Sequence, residues 1–370
     1  MFSSLKKNLL HVCQAGLLLA GASAMAADLL PLATDLKPGT EGLPAAFAKP
    51  LKMSICFFDM QGRNGEYYGR AQDLALIAKR WNIQATLKVF TEEEDAVKAF
   101  KAGQCEGAVM STLRSREFNR FMGSIDAPGA IPTYQHMRVV LKTLLDKKIE
   151  PYTISGPYQT IGVYPLGAQY LFTRDGSTKT LDALNGKKIA ILNWDKTLNT
   201  LIGKMGATPV AESLSGFAKP FNKGEADAIL APAVAYYPFQ LGQGIGDKGG
   251  VFKTPITQLT AALVINRDMI RKKTEDVDAR VAAFRSMSAQ FLEDMLNQFF
   301  ISIDHQDKDV PGKYWIEQEP AQAQALEDFL TKSRIEMTKE GLYDARMMKI
   351  LKKVRCSLDT TRAECTGTDE

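Results

Sequence analysis

The stretch Lys219 to Ala231, KPFNKGEADAILA, constrains the fold more than any other part of the chain. It reads as the end of a helix, a stop at Gly224 and a short buried strand. Glycine tolerates the positive φ at which helices commonly end. The run Ala226 to Ala231 is broken only by Asp227, which suits a strand and is too short for a helix. The stretch has an echo at Lys98 to Met110, KAFKAGQCEGAVM, at an offset of 121 residues. Lys98 pairs with Lys219, Phe100 with Phe221, Gly103 with Gly224 and Glu106 with Asp227. Two such helix–Gly–strand units predict two similar lobes; a chance match on a common αβ pattern is the alternative.

The segments around the two units support the lobes. Leu51 to Asp59 reads as a first buried strand, and Tyr67 to Trp81, with apolar residues at Leu74, Leu76, Ile77 and Trp81, as a helix packed on a sheet. Ile83 to Phe90 alternates like a strand. Thr91 followed by Glu92, Glu93 and Glu94 is a helix start, a hydroxyl cap with acids in the first turn. That helix runs to Gly103, and Cys105 to Met110 is the third strand. The order β-α-β-α-β predicts a parallel, doubly wound α/β sheet. Ser115 to Met122 and Tyr134 to Leu145 read as further helices. Tyr158 to Arg174 is a long strand placed to cross into a second lobe. There the order repeats, with a short helix at Thr180 to Asn185, a strand at Lys187 to Asn193, a helix at Asp195 to Met205 and a strand at Thr208 to Ala211. Phe252 to Ile265 reads as a strand returning to the first lobe, and Glu275 to Ile303 and Ala321 to Val354 as long amphipathic helices. The expected layout is 27–157 with 252–355 for lobe 1, 158–251 for lobe 2, and a polar tail, 356–370, mobile apart from its cysteines.

The chain has 370 residues, enough for two domains of ordinary size. Hydrophobic content of 45% and charged content of 24% are those of a globular protein. A net charge of +4 with no dense basic stripe gives no warrant for nucleic-acid binding. Lys6 and Lys7, the apolar stretch Leu9 to Ala24, and Ala24-Met25-Ala26 fit a signal peptide cleaved after Ala26, spanning 1–26. Residues 27–50 read as an extended lead-in. No later run is long and apolar enough to span a membrane. Export to the periplasm is the simplest reading. Beyond the leader remain Cys56, Cys105, Cys356 and Cys365, which allow three disulfide pairings or four buried thiols. The favoured pairs are Cys56–Cys105, on neighbouring strands, and Cys356–Cys365, closing a short loop. A metal site has little support, because there is no CxxC and only His136 and His305 follow the leader.

No catalytic constellation is convincing: there is no GxSxG, HExxH or P-loop, and no cofactor is called for. A GxGxxG at Gly244 to Gly249 lacks the strand–turn–helix context of a phosphate site and reads as a surface turn. Ligands of open parallel sheets sit beyond the carboxyl ends of the strands, so two facing lobes make a hinged cleft. The candidates in lobe 1 are Asp59, Gln61, Arg63, Asn64, Ser111, Thr112 and Arg114. In lobe 2 they are Asn193, Trp194, Tyr236 and Tyr237, with Tyr164 looking in from the crossing strand. Aromatic rings and amides there suit stacking and hydrogen bonding of a small polar ligand.

From about residue 50 to 350 the chain resembles periplasmic solute-binding proteins, most closely the extracytoplasmic receptors of TRAP transporters. The residues that carry this are EDAVKAFKAGQCEGAVMST in the first half, then TLDALNGKKIAIL, MGATPV and FNKGEADAILAP. The resemblance implies a two-lobed periplasmic binding protein fold with long C-terminal helices, and capture of a small organic solute without catalysis. It also implies integral membrane subunits encoded elsewhere. The family pattern places an arginine for a ligand carboxylate where this chain has Ala190, and a second where it has Gln169. Arg63, Arg114 and Arg138 are the possible substitutes. A narrower resemblance, to the AdeT-labelled group, implies the alternative of a periplasmic accessory component of an RND-type efflux system linked to aminoglycoside resistance.

Overall fold

The structure, a computed structural model, describes residues 36–40 and 42–370. The expected leader, and the lead-in as far as residue 35, lie outside the described residues. The first half runs β1 (Leu51–Phe58), α1 (Glu66–Lys79), β2 (Ile83–Phe90), α2 (Glu93–Lys101), β3 (Gly107–Ser111), α3 (Thr112–Ser115), α4 (Tyr134–Leu144), the two-residue β4 (Ile154–Ser155) and β5 (Tyr158–Thr173). Then follow β6 (Lys188–Leu192), α5 (Lys196–Lys204), β7 (Thr208–Glu212), α6 (Lys219–Lys223), β8 (Ala228–Pro232), α7 (Leu241–Ile245) and β9 (Gly250–Phe252). The chain closes with β10 (Thr257–Asn266), α8 (Arg267–Arg271), α9 (Val277–Asp309), β11 (Trp315–Ile316), α10 (Pro320–Lys339) and α11 (Ala345–Leu358).

The strands order as β2-β1-β3-β10-β5-β8-β6-β7. β1 is parallel to β2 and β3, and β6 is parallel to β7 and β8. Two parallel triplets are therefore joined through the antiparallel pair β10 and β5. β5 is shared between them: residues 158–169 pair with β10, and 169–173 pair with β8. Pro165, which cannot donate to a ladder, sits where the β5–β10 register shifts, a position that tolerates proline. The expected return strand at Phe252 is two pieces, β9 and β10, separated by the turn at Lys253–Ile256.

The two echoed units superpose in function as well as in pattern. Gly103 and Gly224 adopt φ of +72° and +79°, ending α2 and α6. Phe100 and Phe221 are buried beneath them. The Glu106 carboxylate accepts the Ser54 N–H of β1 at 2.7 Å, and Asp227 accepts the Lys188 N–H of β6 at 2.8 Å. Each acid thus ties its own strand to the parallel neighbour. In the GxGxxG, Gly246 to Lys248 form the expected exposed turn, while Gly244 and Ile245 end α7 and are buried in the second lobe, where they pack over Phe221.

Both favoured disulfides form: Cys56–Cys105 with Cα atoms 5.7 Å apart, and Cys356–Cys365 at 5.6 Å. The tail is not loose. Arg334 of α10 and Arg355 of α11 are fully buried and receive Glu364 and Glu370, with Arg334 Nε–Glu370 Oε1 at 2.6 Å and Arg355 Nε–Glu364 Oε1 at 2.7 Å. The sequence expectation of a mobile tail fails because two buried guanidinium groups require carboxylates, and the tail supplies them. Among the described residues no helix is long and apolar enough to cross a membrane.

Candidate functional site

The carboxyl ends of β1, β3 and β6 open onto one cavity of about 730 Å³ between the lobes. Its lobe 1 wall begins at Asp59, just past β1. The Asp59 carboxylate accepts the N–H groups of Gln61 at 2.9 Å and Tyr68 at 3.0 Å, folding the β1–α1 loop back on itself. Gly65 is required there, because a Cβ would come within about 2 Å of that carboxylate. Burial raises the Asp59 pKa, and the two N–H donors oppose the rise. Gln61 and Asn64 line the cavity from the exposed side of this loop, while Arg63 points to solvent away from it.

At the end of β3, Ser111 lines the cavity and caps α3, its hydroxyl accepting from Arg114 N at 3.2 Å. Its own N–H donates to Glu93 at 2.6 Å. Glu93 is buried at the mouth with its pKa raised by burial, opposed by the Ser111 hydrogen bonds. Thr112 faces away from the cavity; its hydroxyl lies 2.8 Å from Thr260 Oγ1 inside the protein. Arg114 is not in the lining either. Its guanidinium lies 5.0 Å from the Trp194 ring centroid and its Nε 3.0 Å from Glu117. Beside it Arg116 donates to Thr197 Oγ1 at 2.8 Å. Two arginines from one lobe thus grip the start of α5 in the other, and Arg114 positions the indole that the cavity sees.

In lobe 2, Trp194 and Asp195 line the cavity, Asp195 capping α5 by accepting from Thr197 N and Leu198 N at 3.1 and 3.0 Å. Asn193 is exposed outside it. Tyr237 stands in the lining and largely exposed, whereas Tyr236 is buried behind it with the ring centroids 5.2 Å apart. Tyr164 lines the cavity from β5, its ring 6.2 Å from Phe299 of α9, and burial raises its pKa. Seven of the twelve candidates therefore meet at one cavity: Asp59, Gln61, Asn64, Ser111, Tyr164, Trp194 and Tyr237. Arg63, Thr112, Arg114, Asn193 and Tyr236 do not. Arg138 is also remote, paired with Glu293 of α9.

Sequence reasoning missed Glu93, Tyr67, Phe299 and Gln306. Glu93 carried only a helix-start signal. Tyr67 stacks on Phe299 and donates to Gln306 at 3.4 Å, a contact between α1 and α9 with no local signature. Gln169, at the expected arginine position, lines the cavity and donates to the Leu230 carbonyl at 3.4 Å. Ala190 is fully buried in the lobe 2 core, among Phe172, Ile229 and Phe221.

Two α/β lobes sharing a crossing strand, with one cavity between their strand ends and polar and aromatic groups facing in from both, define a solute-binding protein of the two-lobed periplasmic type. Solved structures agree on the fold: a TRAP periplasmic solute binding protein from Desulfovibrio salexigens has a TM-score of 0.64 at 11% identity, covering 83% of this chain and 99% of that one. Another from Shewanella oneidensis has 0.65 at 10% identity, covering 82% and 99%. The chain belongs to the AdeT 1/2 family of solute-binding proteins, whose family model matches residues 73–370. It is 34% identical over 313 residues to the probable solute-binding protein AdeT1 of Acinetobacter baumannii, covering 85% of this chain and all of that protein.

Proposed function

We propose that the protein is a periplasmic receptor that captures one small organic molecule between its lobes and presents it to a TRAP-type membrane transporter. The observation that carries this is the cavity walled by strand ends of both lobes, in a chain of a solute-binding family. The structural relatives support the ligand class, since they hold orotic acid and succinate. On this reading Gln61, Asn64, Ser111, Tyr164, Trp194 and Tyr237 contact the ligand, and Asp59 and Arg114 position the walls. Residues 158–251 close against the remainder about the β5 and β10 crossings. No chemical step is assigned to the site. No observation favours the efflux-accessory alternative.

Thermal denaturation across a broad panel of metabolites and aminoglycosides tests the reading. A ligand at a hundredfold excess over its Kd stabilises by about 2.7 kcal/mol, which is readily measured. At least one compound is expected to raise the midpoint, and Trp194→Ala is expected to weaken its binding about tenfold by removing an aromatic wall. Silence across the whole panel would sink the receptor reading.

A further inference from the structure

The cavity does not stop at the strand ends. It continues inside lobe 1, in the layer between the sheet and helices α1 and α9. Alternation along β1 turns Met53, Ile55 and Phe57 toward this layer and Cys56 toward α2 on the other face. The same parity brings Leu87 of β2, Val109 of β3 and Leu263 of β10 to the cavity. Met53, Val109 and Leu263 lie on strands with neighbours on both sides, yet are only half-buried. Their remaining exposure is to the cavity. Across from them α1 presents Ala71, Ala75 and Ala78, small side chains that leave the space open. Protein interiors are close-packed, with few voids larger than a water molecule. About 730 Å³ is instead the size of a ligand site.

Charge is distributed unevenly around this space. The acids Asp59, Glu66, Glu93, Asp195 and Asp309 all lie at the cleft mouth, at the ends of β1 and α9 or the starts of α1, α2 and α5. Two arginines, Arg70 and Arg280, line the cavity. Arg70 lies one turn along α1 from Glu66, and Arg280 is at the far end, donating to Asp276 and to the Lys49 carbonyl at 2.8 Å each. Gln169 and Ala190 supply no cation.

We infer that, within the receptor reading above, the ligand is an amphiphile: an apolar chain or ring system lies between the lobe 1 sheet and α1, and a neutral or cationic polar end remains at the mouth. Small hydrophilic dicarboxylates would leave the apolar part of the cavity unfilled and meet a mouth rich in carboxylates.

Isothermal titration separates the cases. The probes are n-alkyltrimethylammonium salts of six to twelve carbons, sodium alkanoates of the same lengths, and succinate, all below micellar concentrations. For the ammonium series the affinity is expected to rise about fourfold per methylene, from about 0.8 kcal/mol per buried CH₂ and 1.4 kcal/mol per tenfold. Ala85→Phe and Leu263→Trp each fill the space from a different strand, so loss of folding in one leaves the other to decide. Either is expected to abolish the chain-length dependence. A length dependence that survives in a folded variant overturns the placement in lobe 1. Tighter binding of alkanoates than of ammonium salts overturns the polar-end assignment and moves the head to Arg70 or Arg280. Absence of binding by both series overturns the inference. Binding of succinate or a panel metabolite alone would then leave the receptor reading intact, whereas silence from the panel as well would end both.

Discussion

Glu106 and Asp227 show how much one carboxylate can decide. Each follows a positive-φ glycine and accepts a backbone N–H from the parallel strand alongside, at 2.7 and 2.8 Å. A hydrogen bond to a charged partner contributes more than a neutral one, so Asp227→Ala is expected to cost about 1.5–3 kcal/mol in denaturant unfolding. The pairing of these two acids was legible as an echo in the sequence. What they bind was not, because the partner strands lie 52 and 39 residues away. Asp126 was invisible for the same reason. It is buried under β10, where Thr260 donates from its N–H at 2.9 Å and its hydroxyl at 2.7 Å. Burial pushes its pKa up from 3.8 to about 7, against those two donors. The folded protein therefore binds this proton more tightly than the unfolded chain does. Its contribution is fully present below about pH 4 and is lost as pH rises through 7. Asp126→Asn mimics the protonated form, so it is expected to remove this component of the pH dependence in unfolding titrations between pH 4 and 7.

At the scale of elements, the long helices hold the two halves in register. α9 has 33 residues, about 50 Å of helix. Its first turns pack under lobe 1 with Ile265 and Ile270, and near its far end Asp307 accepts from Tyr170 of β5 at 3.0 Å. Amphipathic spacing made these helices readable, but not the break between α10 and α11, which falls at Gly341 with φ of +81°. The C-terminal elements were the largest misreading. A polar stretch looks solvated in a sequence, and Arg334 and Arg355 look like surface residues of amphipathic helices; only the packing shows that they are fully buried and matched by Glu364 and Glu370. Breaking a buried ion network by removing one member costs about 3–5 kcal/mol, so Glu370→Gln is expected to lower the free energy of unfolding by that amount in denaturant titrations. Burial alone would raise the Glu364 pKa, but Arg355, Arg362 and Arg334 hold it down to about 2. A depressed carboxyl contributes stability above its unfolded pKa, so this contribution is expected to be complete above about pH 4.5 and to vanish as pH falls through 2. Acid titration of the wild type against Glu364→Gln checks the window.

On the scale of the whole molecule, the repeat of αβ units along the chain already implied two lobes and a cleft between strand ends. The aromatic and amide residues after those strands were legible candidates because topology places strand ends together. Five were misplaced for local reasons: Thr112 turns inward to Thr260, Arg63 and Asn193 turn out to solvent, Arg114 lies over Trp194 and Tyr236 is covered by Tyr237. The depth of the cavity could not be read, since it depends on three alanines of α1 lying across from half-buried residues of β1, β3 and β10. The contacts between the lobes were equally hidden in the sequence. Arg114 over Trp194 and Arg116 on Thr197 join the lobes at one edge of the cleft. The most direct test of a captured solute is native mass spectrometry of the purified protein after incubation with a small-molecule extract of its own cells. One bound molecule per chain, released on denaturation and reduced by Trp194→Ala, is the predicted result. A spectrum containing only the bare chain, before and after incubation, would contradict the account.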